Sequence, residues 1–82
     1  MPRLVLVTWK DATATASWRL LEEFEQEPVN CQTIGWVIDE GDGYISVAST
    51  LAYDNDLEEP DGCHLIMTIP TGFLTEIEEI EF

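Results

Sequence analysis

Four carboxylates, Asp54, Asp56, Glu58 and Asp61, are spaced like the start of a calcium loop. Such a loop needs glycine at its sixth position and a bidentate glutamate at its twelfth. Glu59 and Leu65 stand at those places, so the segment reads as a solvated acidic loop. Cys31, Cys63 and His64 offer three metal donors, but there is no Cys-x-x-Cys pair and no fourth ligand for a closed zinc site. Cys63 and His64 are consecutive, and consecutive strand residues point to opposite faces, which excludes a nucleophile–base dyad. Asp39-Glu40-Gly41-Asp42-Gly43 carries acids where a phosphate would have to sit. Carboxylate pairs abound, but nothing marks a pocket around any of them. The chain therefore reads as non-enzymatic, with no cofactor and no metal. One corner has the composition of a recognition site: Trp9, Lys10 and Asp11, then Trp18 and Arg19. Aromatic and arginine side chains dominate binding hot spots, and a cation beside an indole is attracted to its face. The alternative is that both tryptophans anchor the core and the cations offset nearby acids.

Charge narrows the partners. Seventeen acidic residues face three basic ones, for a formal net charge of −14 over 82 residues. Arg3, Lys10 and Arg19 all precede residue 20, and Asp11 is the only acid that does. From Leu20 onward every formal charge is negative. Nucleic acid and anionic membranes are repelled by such a surface, and basic protein surfaces are attracted. No apolar run approaches a membrane span, and the apolar start is too short for a signal peptide. The expected location is the cytoplasm. Cys31 and Cys63 then read as small buried thiols in a reducing compartment.

Five strands position these groups. Residues 3–9 form a β-branched, apolar run. Residues 31–39 alternate, with Ile34, Trp36 and Ile38 on one face and Gly35 at a bend or close approach. A turn at 39–43 leads to a return strand over 44–52 with Ile45, Val47 and Leu51 inward. A fourth strand covers 63–69. Pro70-Thr71-Gly72 breaks it, and a closing strand is expected around 75–81, although the apolar spacing of the 73–82 tail also fits a helical turn. Between the first two strands, Trp18, Leu20, Leu21 and Phe24 fall at helical spacing. This predicts a short helix within 15–26, capped by Thr13 or Ser17 and ended by Pro28. The three tryptophans are expected to supply large buried areas.

Several segments carry a family resemblance. Val7-Thr8-Trp9-Lys10-Asp11-Ala12 followed by Trp18, then Thr33-Ile34-Gly35-Trp36-Val37-Ile38, then Val47-Ala48-Ser49, resemble short proteins of tailed bacteriophages. Ile69-Pro70-x-Gly72-x-Leu74-x-x-Ile77 completes the pattern and is also similar to the closing turn and strand of Sm-like barrels. The basic and asparagine-containing loops by which Sm proteins hold RNA have no counterpart here. The expected fold is mainly β: a small five-stranded barrel of the Sm or SH3 kind, or a bent antiparallel sheet, with one short N-terminal helix. The resemblance implies a phage protein and carries no activity with it. The small size, the acidity and the lack of catalytic groups suit an accessory protein that binds and modulates a host protein with a basic surface, with carboxylates standing in for DNA phosphates in the sharper version. Two alternatives remain open. One is an oligomeric binder of a small anionic ligand that sequesters a nucleotide signal of host defence. The other is a virion structural or assembly component. Self-association to a dimer or higher oligomer is expected, because the large apolar residues are many for one small core.

Overall fold

A computed structural model describes residues 2–14, 16–54 and 58–81. Five strands make one antiparallel sheet: β1 (Leu4–Asp11), β2 (Val29–Gly41), β3 (Tyr44–Ala52), β4 (Gly62–Pro70) and β5 (Leu74–Ile80). Their order across the sheet is β4-β3-β2-β1-β5. The sheet is open, with β4 and β5 as its two edges. Only the turn Thr71–Phe73 joins those edges, so the sheet must curl for so short a link to connect them.

Period-2 alternation decides the faces. On the core side Val5 and Val7 of β1, Ile45 and Val47 of β3 and Ile69 of β4 are buried together, with Trp9, Val37 and Leu74 packed against them. Trp9 Nε1 donates to Thr33 Oγ1 at 3.0 Å, which satisfies the indole's polar end. On the opposite face the register lines up Ile80, Leu4, Trp36, Ala48 and Ile66 in one row across all five strands. Leu6 and Ile34 pair beside it. The strand expected at 31–39 thus turns its Thr33, Gly35 and Val37 side to the core, and Ile34 is exposed.

β2 and β3 part company midway. Their ladder ends at Trp36–Ala48; upstream, β2 pairs with β1 alone, and downstream, β3 pairs with β4 alone. Gly35 sits where they fork. A Cβ there would lie 2.8 Å from the Ala48 carbonyl oxygen, so the close approach expected from the sequence requires glycine. The hairpin closes through Asp42-Gly43, with Gly43 at φ 93°. Leu65 lies in the left-handed region at φ 57°, a costly conformation for leucine, between the residues of β4 that pair with Ala48 and Thr50.

Tyr44 donates to Asp39 Oδ2 at 2.9 Å. That hydrogen bond, then the carboxylate's charge and some desolvation, raises the phenol above its ordinary pKa of 10.0. The folded state therefore holds the phenolic proton more tightly than the unfolded chain. The stabilisation is complete below pH 10 and fades as pH rises through the folded value. Absorbance at 295 nm should show Tyr44 titrating late, and Asp39→Asn should bring its titration back toward that of free tyrosine; an unchanged curve would contradict the contact.

The expected N-terminal helix does not form among the described residues. Within 16–26 there is only the 3-10 turn Leu21–Glu23, with no side-chain cap. Thr13, one of the expected caps, donates instead to the Glu27 carbonyl at 3.3 Å and ties the two ends of the segment together. Glu23 and Glu27 would repel at i,i+4, the single cation Arg19 precedes Glu22 and Glu23 in the weaker orientation for a helical ion pair, and so short a helix needs a surface to pack on. No helix among the described residues is long and apolar enough to cross a membrane. The expected calcium-like loop position Asp56, the helix position Thr15 and the terminal Phe82 lie outside the described residues.

Candidate functional site

The segment between β1 and β2 is an arm. Its 17 residues leave the sheet at Asp11 and return at Val29, which are partners in the ladder. Every described residue from Lys10 to Asn30 is exposed. Trp18 is 98% exposed, Leu21 95% and Leu20 67%. Such values are unusual for large apolar groups, which normally supply the core. The expectation that three tryptophans are buried therefore fails for Trp18, while Trp9 and Trp36 are half-buried.

The recognition corner is split by this geometry. Trp9 belongs to the core face and its indole is engaged with Thr33. Lys10 and Asp11 lie at the root of the arm, where Asp11 Oδ1 accepts the Ala12 N–H at 2.8 Å. Trp18 and Arg19 lie out along the arm, and Arg19 Nη1 reaches only the Trp18 carbonyl, at 3.2 Å. Lys10 and Asp11 line an apolar hollow with Pro28, Phe73 and Leu74. Arg19 lines a separate one with Thr13, Ser17 and Phe24. The cations and Trp18 thus share one exposed arm and its root, with Trp9 behind them in the core.

Arg3 forms an ion pair with Glu40. The acids otherwise line the surface: Glu22, Glu23, Glu25 and Glu27 on the arm, Asp39, Glu40 and Asp42 at the hairpin end, Glu76, Glu78 and Glu79 on β5. By register, Glu76 and Glu78 share the outer face with Thr8 and Leu6. The molecule measures 60 × 24 × 22 Å, with a radius of gyration of 16.9 Å. A compact chain of this length would have about 12 Å.

Both cysteines are free, and Cys63 is exposed on the edge strand, against the expectation of two buried thiols. Cys63 and His64 pair with consecutive residues of β3, Leu51 and Thr50, and so point to opposite faces. No three His, Cys, Asp or Glu side chains among the described residues are grouped to hold one ion.

Sequence reasoning missed the outer apolar row. Its signal was present in Leu4-Val5-Leu6-Val7, which is apolar at both parities and so feeds two faces at once. Comparison with family models, with curated proteins and with solved structures finds no match to this chain.

Proposed function

We propose that this chain is a non-enzymatic protein-binding domain that captures a partner with a basic surface by presenting carboxylates in place of nucleic-acid phosphates. The carrying observation is the charge on an elongated body. The 16 described acidic residues on a body 60 Å long average roughly one carboxylate per 4 Å of length, comparable with the phosphate spacing of about 3.4 Å along one DNA strand. A width of 22–24 Å suits a groove built for nucleic acid. In the setting implied by the sequence resemblance, the domain is a phage accessory protein acting in the cytoplasm of an infected host. The curl that lets three residues link β4 to β5 supports a barrel-like reading of the sheet.

A second reading rests on the hollow at the arm root, where Lys10 stands over Phe73, Leu74 and Pro28. A cation beside an apolar floor suits a small anionic ligand with a flat ring, such as a nucleotide.

Competition separates the two. A purified basic DNA-binding protein is loaded with labelled duplex and titrated with this chain at 50 and 300 mM salt. The mimic is expected to displace the duplex at low salt and to lose at least tenfold in potency at high salt. Failure to displace duplex from any of a panel of such proteins removes mimicry. Lys10→Glu with Arg19→Glu should leave displacement intact, because the carboxylates that compete with duplex are unchanged. Loss of a co-purifying ligand absorbing near 260 nm in that variant would favour the nucleotide reading instead.

A further inference from the structure

Two apolar surfaces are left wholly or partly uncovered by the described residues. One is the arm, with Trp18 98%, Leu20 67%, Leu21 95% and Phe24 47% exposed. The other is the outer row Ile80–Leu4–Trp36–Ala48–Ile66 with the neighbouring Leu6–Ile34 pair: Ile34 is 57% and Ile66 52% exposed, Leu4, Leu6, Trp36 and Ile80 are half-buried, and the small Ala48 between Trp36 and Ile66 is buried. A sheet with apolar residues on both faces needs a second layer, because stable domains pack at least two. The described residues supply no second layer on this side.

The amount of bare surface indicates what is missing. The chain exposes 6473 Å². A compact monomer of its mass exposes about 5,000 Å². The excess of about 1,500 Å² is larger than the roughly 800 Å² per partner that a stable interface buries.

We infer that the arms are exchanged: Trp18, Leu20, Leu21 and Phe24 of one copy lie on the outer row of a second copy, and reciprocally. Charge complementarity fits this occupant. Arg19 stands between Trp18 and Leu20 in an otherwise acidic arm, and Glu76 and Glu78 flank the row on the outer face of β5. The exchange sets the only unpaired arginine of the described residues against carboxylates, in a chain whose copies otherwise repel. Reciprocity gives a closed two-fold dimer, in which each arm is buried once and no apolar arm is left over. This inference does not depend on DNA mimicry, which uses the acids that remain outside the interface.

The test uses the full chain with a photo-crosslinking amino acid at position 18, prepared as a mixture of 14N and 15N protein. Light scattering should give a dimer at micromolar concentration. Crosslinked peptides should join position 18 to the β1, β2 or β4 peptides of the other isotope in about half of the products. Trp18→Ser with Leu21→Ser should yield a monomer with unchanged far-ultraviolet circular dichroism. Three results overturn the inference: a monomeric wild type, crosslinks confined to one isotope, or a dimer that survives the double substitution. The second result would mean that each arm covers its own sheet, and the third that the copies pair through β4 or β5. Duplex competition by the double variant reads the charge function separately.

Discussion

Gly35→Val is expected to unfold the protein or bring it to the edge of unfolding. A Cβ at this position meets the Ala48 carbonyl oxygen at 2.8 Å, its carbon at 3.2 Å and Val47 Cβ at 3.2 Å. Two of these atoms are backbone, so no side chain can rotate away. Valine adds two more methyl groups at the point where β2 and β3 separate, on the core face beside Val5. Relief requires β2 to move off β3, which breaks the adjoining Trp36–Ala48 and Val37–Val47 pairs. Overpacking alone costs about 1–3 kcal/mol. With ladder pairs lost as well, about 3 kcal/mol or more is expected, against a total of about 4–12 kcal/mol for a chain of this length. The melting temperature should fall by roughly 12–24 °C. Urea unfolding followed by tryptophan fluorescence measures it, and a loss below 0.5 kcal/mol would show that the fork is not closed around Gly35. Gly35→Ala should lie between the two.

Ile69→Ala is expected to have the next largest effect, and a local one. Ile69 is the only buried side chain of β4 among the described residues, at 1% exposure, and pairs with the buried Ile45. Truncating a buried isoleucine costs about 2–5 kcal/mol. β4 is an edge strand whose other side chains are mainly exposed, so the loss should release β4 from β3 before the rest of the sheet opens. Hydrogen exchange should show deprotection over 62–70 with β1 and β2 still protected. The control is Leu65→Ala, 63% exposed, expected to cost under about 1 kcal/mol. Equal losses for the two variants would mean that Ile69 does not anchor the edge.

The strands were legible in the sequence because their pattern is local. The return strand over 44–52 is found with those same bounds, and the ends of the others differ from expectation by one or two residues: β2 and β4 are longer at both ends, β1 starts one later and ends two later, and β5 is shifted one residue toward the N-terminus. Alternation reports a strand whatever it packs against. It does not report which face is inward when both are apolar, and this is why Ile34 and Trp36 turned out to lie opposite the core. The helix failed for a related reason. Trp18, Leu20, Leu21 and Phe24 have helical spacing, but spacing becomes a helix only when a surface receives the apolar side, and the arm has none within its own chain. The candidate corner was legible as composition and not as geometry. Lys10, Asp11, Trp18 and Arg19 do share the exposed arm and its root, while Trp9 was drawn into the core by Thr33 and Leu74. The charge needed no structure, but the 60 Å length of the body that carries it did.

The pairing of β1 with β5 dictates the order in which the chain can assemble. Leu4 pairs with Ile80, so this ladder joins the two ends of the sequence. The β2–β3 hairpin closes over two residues, whereas the β1–β5 ladder closes over nearly the whole chain. Loop entropy rises with the logarithm of length, by about 0.6 kcal/mol per doubling, and puts the end-to-end ladder last. A topology so rich in distant contacts belongs to the slow class of small domains, folding in milliseconds to seconds. Until residue 80 has been synthesised, β1 has one neighbour and an open edge beside Val5 and Val7. During that interval the nascent chain exposes its most apolar strand to pairing with other chains, and the late-arriving acidic β5 both fills that edge and gives the new border a charge that discourages further strands.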